Sequence, residues 1–420
     1  MRRILTSLLF VLLVSLAFAK GTKEDITTVE IWHSNSGKSS DVFEEIVDAF
    51  NSTVGKEKNI FIDSIYQGKA NDVLTKVKAA SSSGNLPDIA QMDATSGMDM
   101  NRSSYIVTMD ELGVDSDDIL KNAKTGFTSE RGLIAMPFNG SVNLLYYNKD
   151  IFDELGLDAP KTLDDMIRIA PLLKSKATYA FAGVPTTSEL TTLLGAQNGL
   201  EYMTDNQNGH IGNATKVLFG ENGSYKKFLE KWKALYDTGA VNNLTQSVMA
   251  EFASARTAMM ISSSSDLTTI LSQVANSFDV AVAPIPMVDE KATAGLVVGG
   301  AALYAFTKSD AVKTVIEYLL SSDVQLKWAK ETGYIPLNTE LYKTDKYKEF
   351  ISEDTNFKII MDAVFSSNPR LTNVWLPSAY QIYYTFQKNI VDVITGSITI
   401  DEGVEEMTNF VQRALDENNK

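Results

Sequence analysis

From Thr27 onward, short apolar runs alternate with segments of helical period. Thr27 to Trp32 (TTVEIW) alternates at period two and predicts a first strand. A polar turn, His33-Ser34-Asn35-Ser36-Gly37, follows. Ser39-Ser40-Asp41 predicts the cap of a helix carrying Val42, Phe43, Ile46, Val47 and Phe50. Ile60 to Tyr66 predicts a second strand, Asn71 to Ala80 a helix, Ser81 to Pro87 a loop, and Asp88 to Met92 a third strand. This βαβαβ order predicts a parallel sheet with helices on its faces. Ligands of such sheets lie beyond the carboxyl ends of the strands, which singles out His33 and Ser34, Tyr66 to Gly68, and Asp93.

The stretch from Met136 to Pro160 reads as a strand ending, a small-residue corner at Asn139, Gly140 and Ser141, a second strand from Val142 to Tyr147, and a helix. Ile151, Phe152, Leu155 and Leu157 fall at helical spacing, with Gly156 as C-cap. Thr162-Leu163-Asp164-Asp165 opens another helix with a T-x-x-D start. Tyr179 to Val184 predicts a strand, Thr204 to Gly212 a polar surface loop, and Tyr225 to Gly239 an amphipathic helix. Ser262 to Ser265 form a turn leading into a helix at Asp266, and Val280 to Ile285 a strand. Asp310 to Leu320, Val324 to Lys330, Tyr380 to Thr395 and Ile400 to Leu415 are further helices.

Ahead of this pattern, Arg2 and Arg3 precede an apolar run from Ile4 to Phe18 that ends in Ala17-Phe18-Ala19. That predicts a secretory leader over residues 1–19, cleaved before Lys20, and hence an exported, periplasmic protein. The chain has no cysteine, which excludes a cysteine-linked lipid anchor, disulfides and thiol chemistry. With 420 residues it is too long for one core and predicts two lobes. The formal charge of −15 becomes −17 once Arg2 and Arg3 are removed (36 basic against 53 acidic residues). That balance argues against nucleic acid and suits a freely diffusing monomer.

Catalytic chemistry finds little support. Two histidines and no cysteine leave the common triads without parts, and neither a phosphate-binding G-x-x-x-x-G-K-[ST] loop nor an H-E-x-x-H zinc helix is present. The abundant Asp and Glu leave a secreted glycosidase as the alternative reading. An adhesin is a third class, distinguished by lacking a cleft that closes.

The run PFN-x-S…LYYNKD-x-F…GL (Pro137 to Leu157) resembles the first crossover of extracytoplasmic solute-binding proteins that serve ABC importers, in their carbohydrate and glycerol-3-phosphate branch. W-H-S at 32–34, Y-x-G at 66–68, GN-x-P-x-I-x-Q at 84–91 and T-G-Y-x-P at 332–336 are similar to the same family. The resemblance implies an α/β, two-lobe periplasmic-binding-protein fold of type II. Its lobes would comprise 20–141 with 298–366 and 142–297 with 367–420. It also implies hinge closure on a small ligand, no cofactor, and delivery to a membrane permease pair powered by a separate ATPase.

Several residues combine their own chemistry with a family position. Asn139 and Ser141 sit at the first crossover, and Ser263 and Ser264 where a strand meets a helix start. Gly299 and Gly300 allow close backbone approach, and Tyr334 offers a ring and a hydroxyl. Asp93 is an acceptor for ligand hydroxyls; Trp375 and Tyr380 are rings for stacking or for support of a third crossover near Ser366 to Pro377. Arg370 matches an arginine of the relatives and suits an anion. His33 and Tyr66 complete the set. The sequence departs from the glycerol-3-phosphate binders at Ala70 (an aromatic there), at Ala94 (a glutamate there), and over Val184 to Thr192, where paired tryptophans are missing. Ala255 also replaces a family glycine. These departures leave the scaffold in place and predict a second-lobe wall of different shape and polarity.

Overall fold

The computed structural model of the chain describes residues 26–420, so the expected leader lies outside the described residues. In chain order the strands are β1 Thr27–His33, β2 Ile60–Tyr66, β3 Ile89–Asp93, β4 Thr128–Ser129, β5 Gly132–Leu133, β6 Met136–Ser141, β7 Asn143–Asn148, β8 Tyr179–Ala182, β9 Val241–Asn242, β10 Thr257–Ser263, β11 Val280–Pro284 and β12 Gly299–Ala305. They form two five-stranded sheets, β2-β1-β3-β12-β6 and β11-β7-β10-β8-β9, and a small β4-β5 ribbon. Helices flank both sheets, giving an α/β fold. The chain passes from the first sheet to the second between β6 and β7 and returns between β11 and β12.

β1, β2 and β3 are parallel as the βαβαβ pattern predicts, whereas β12 enters antiparallel to both β3 and β6, so the sheet is mixed. β3 and β7 are buried almost throughout, as interior strands covered on both faces must be. An aromatic pile links sheet to helix. Phe138 stacks on Trp328 at 5.1 Å, and Trp328 stacks on Tyr334 at 5.4 Å with the rings nearly parallel at 9°. The cap signals hold: Thr162 and Asp165 close a capping box, Asn148 accepts from the Ile151 N–H at 3.1 Å, and Gly156 takes a left-handed φ of 64°.

Three local expectations are corrected. Asn139, Gly140 and Ser141 belong to β6, and Val142 alone separates it from β7. Their small or polar side chains reflect close packing (a Cβ at Gly140 would lie 2.5 Å from Leu337) and not a turn. Ser39, Ser40 and Asp41 do not cap the first helix, which runs Lys38–Ser52 and starts directly after Gly37 without a side-chain cap. Thr204 to Gly212 is only partly a surface loop, since Gln207 and Ile211 are exposed while Thr204, Asn208 and His210 are buried. Asn206, Gln207 and Asn208 adopt φ of 52°, 53° and 60° there, a left-handed turn that L-residues rarely sustain. The Asn208 side chain compensates, accepting from the Met203 and Thr204 N–H groups and donating to the Thr372 carbonyl.

Candidate functional site

The crossover at Val142 sets the edges of the two sheets against each other. On the first edge, His33 is registered with Tyr66, Asp93 with Ala301, and Gly299 with Ser141. On the second, Ser263 is opposite Asn143. The junction is pinned by Ser264, whose N–H donates to the Val142 carbonyl at 2.7 Å and whose hydroxyl accepts from the Val142 N–H at 3.3 Å.

Ser141, Ser263, Gly299, Gly300 and Tyr334 are half-buried around this junction. Gly300 has φ 107°, and a Cβ there would lie 1.7 Å from the Asn139 carbonyl oxygen, so only glycine fits. The Tyr334 hydroxyl reaches the side chains of Asn139 on the first edge and Ser265 on the second, and burial raises its pKa, keeping it a neutral donor. Ser265 in turn lies 2.9 Å from the Ser263 hydroxyl. Tyr334 therefore ties the two edges together, held in place by its stack on Trp328.

Behind the first edge is a buried amide network that the sequence reading missed. Gln91 accepts from the Ser34 N–H at 3.2 Å and donates to Asn35 Oδ1 at 3.0 Å and to Asn139 Oδ1 at 2.7 Å. Asn139 also donates to Asn35 Oδ1 at 3.1 Å. Gln91 and Asn139 meet across β12, which lies between their strands. The available signal was an amide at an inward position of an apolar strand, in the GN-x-P-x-I-x-Q run. Among the described residues, the buried donors without hydrogen-bond partners here include Asn35 Nδ2, Asn373 Nδ2 and Trp328 Nε1. Asn373 lies against Gly299.

The second edge differs in chemistry. Asn143 donates to the Ser188 hydroxyl at 2.6 Å, and Ser262 to the Asp266 carboxylate at 2.5 Å. Burial raises the pKa of Asp266, and likewise that of Glu189, which also feels Asp266. Neither lysine nor arginine is among the residues gathered here.

Burial, exposure or existing bonds set what each of the other expected site residues can do. His33 is 1% exposed, its ring 5.0 Å from Phe43 and 5.9 Å from Tyr66; burial lowers its pKa to about 4. Tyr66 is exposed on the edge strand. Asp93 accepts from Tyr380 at 2.5 Å and from the Thr95 N–H at 3.1 Å. Ser264 has both its amide and its hydroxyl committed to Val142. Trp375 is fully buried, with His210 4.0 Å away and a backbone approach that only a glycine at 97 permits. Arg370 is exposed and donates to the Tyr202 hydroxyl at 3.3 Å. Among the described residues no His, Asp and Glu group is arranged to hold a metal.

Comparison with known proteins places this geometry. Residues 45–358 match the family model for bacterial extracellular solute-binding proteins. The sn-glycerol-3-phosphate-binding periplasmic protein of Shigella dysenteriae is 25% identical over 425 residues, covering 94% of each chain. Its counterpart in Escherichia coli K12 gives the same identity and coverage. Among solved structures, UgpB from Mycobacterium tuberculosis in complex with glycerophosphocholine superposes with a TM-score of 0.78 at 18% identity, covering 94% of this chain and 99% of that one. The sugar-binding protein MalE of Xanthomonas citri gives 0.77 at 20% identity, covering 94% and 98%. The chain belongs to the bacterial extracellular solute-binding proteins, a family of binders and not of enzymes.

Proposed function

We propose that this protein captures a neutral carbohydrate between its two sheets and delivers it to the permease of an ABC importer after export through a cleaved leader. The relatives named for sugars and for glycerol-3-phosphate bound the choice, and one observation favours the sugar. The crossover gathers hydroxyls, amides and glycine backbone, the Asn35 and Asn373 amides each keep a buried donor without a partner, and its named charged groups are carboxylates. Polyhydroxylated ligands satisfy such donors and acceptors together. A phosphate would need a guanidinium or ammonium in reach, and the Arg370 guanidinium donates to the Tyr202 hydroxyl.

In this reading Ser141, Asn139, Ser263, Gly299, Gly300 and Tyr334 contact or orient the ligand. The lobes comprise 20–141 with 298–366 and 142–297 with 367–420. The helix Thr355–Ser366 reaches across, packing on β11 while its Val364 carbonyl accepts from Asn122. Closure about the strands that change sheet would trap the solute. Titration calorimetry with glucose, maltose and glycerol-3-phosphate tests the ligand class. Saturable binding of a saccharide with no heat from glycerol-3-phosphate is expected; tighter binding of glycerol-3-phosphate would overturn it.

A further inference from the structure

Asparagine precedes glycine at four places, Asn139, Asn198, Asn208 and Asn222. Such pairs are chemically labile, because glycine puts no side chain in the way when its backbone nitrogen attacks the asparagine side-chain carbon. The attack needs a side chain free to turn, a backbone amide that can lose its proton, and room for a five-membered ring. The fold grants these conditions unequally.

Asn139 and Asn208 are 3% and 1% exposed. Gln91 and Asn35 hold the Asn139 side chain, and a Cβ at Gly140 would lie 2.5 Å from Leu337. Met203, Thr204 and Thr372 hold that of Asn208, and a Cβ at Gly209 would lie 3.3 Å from the Trp375 carbonyl oxygen. Neither can react without local opening, and each ~1.4 kcal/mol that opening costs slows the reaction about tenfold. Asn222 is half-buried, its Oδ1 accepting from the Ser224 N–H at 2.9 Å. Asn198 differs from all three. It is exposed, in a left-handed turn at φ 51°, and among the described residues its side chain bonds Glu201 alone, donating to Oε1 at 3.0 Å. A Cβ at Gly199 would meet nothing nearer than Thr293 Oγ1 at 3.9 Å, so the ring has room.

We propose that Asn198 is a site of spontaneous deamidation. The Gly199 nitrogen bonds to the Asn198 side-chain carbon. Its proton passes through water to the departing side-chain nitrogen, which leaves as ammonia. Water then opens the cyclic imide to aspartate or to isoaspartate. The new carboxylate faces Glu201, and like charges at hydrogen-bond distance repel. The turn also carries load. The Gly199 N–H donates to the Lys291 carbonyl at 3.1 Å, and the Ala196 carbonyl accepts from the Ala294 N–H at 3.4 Å. These bonds brace the segment by which the chain returns to β12, so modification at Asn198 weakens that brace.

The test incubates the purified protein in warm, mildly alkaline buffer and follows the four asparagine peptides by mass spectrometry, with electron-transfer fragmentation separating isoaspartate from aspartate. Asn198 should lose its amide at least about tenfold faster than Asn139 or Asn208, and faster than Asn222. In concentrated urea the four rates should converge, since the fold is what separates them. Asn198→Asp reproduces one product and should lower the melting temperature, and adding Glu201→Gln should recover the loss. A native rate at Asn198 no greater than that of the buried pair, a lead taken by Asn222, or a lead of Asn198 that persists undiminished in urea overturns the assignment. An Asn198→Asp melting temperature equal to the parent's, or a loss that Glu201→Gln does not reverse, overturns the weakened brace.

Discussion

The two edges that meet at Val142 are built on different principles. The first is a locked frame, in which Gln91, Asn35 and Asn139 are all buried and hydrogen-bond one another, backed by the Phe138–Trp328–Tyr334 pile. The second is a half-buried set of serines and carboxylates (Ser263, Ser265, Asp266) whose bonds are mostly local. A buried network is costly to leave half-satisfied, so the first edge resists change; short exchangeable hydroxyls on the second are replaceable at small cost. In the proposed reading both edges face the ligand, the first as a rigid frame and the second through exchangeable hydroxyls.

The strongest way to break that contrast is Gln91→Leu. It leaves the Ser34 N–H without its acceptor and the Asn35 and Asn139 carbonyl oxygens without their shared donor. A loss of about 2–4 kcal/mol in urea unfolding is expected, with Trp328 fluorescence shifted through Tyr334. An unfolding midpoint within error of the parent would show that the frame is not locked.

Next comes pH. His33 is buried and neutral, its pKa depressed from 6.5 to about 4. Below pH 6.5 the unfolded chain binds a proton that the folded one refuses, so this contribution is complete above 6.5 and is lost as pH falls towards 4. At most about 3 kcal/mol is at stake. His210 is depressed too, by burial, although both its ring nitrogens face carbonyls. His33→Phe should therefore flatten part of the acid slope measured between pH 4 and 7; an unchanged slope would assign it to other groups.

The smallest expected effect has the opposite sign. Ala255, which precedes β10 of the second sheet, sits at φ 57°, a left-handed conformation that its Cβ disfavours. Ala255→Gly should stabilise by about 1 kcal/mol, read as a raised melting temperature, despite glycine's greater freedom in the unfolded chain. A lowered melting temperature would mean that the strain is already relieved by the surrounding contacts.

Much of the fold was legible in advance because it is local chemistry. Alternation marked β1, a capping box marked the helix at Leu163, and Gly156 marked a helix end, each through contacts only a few residues away. The gathered site was partly legible, since Gly300 must be glycine and Tyr334 lies in a distinctive turn. What the sequence determined by itself was the set of elements, the cysteine-free acidic character and the family to which its motifs point. Only the tertiary structure decided that Gln91 meets Asn139 across an intervening strand, that Thr204, Asn208 and His210 are buried, and that Asp93 meets Tyr380, 287 residues away. Those contacts arise when distant segments share a face, and neither residue's neighbours in the chain carry a trace of the partner it will find.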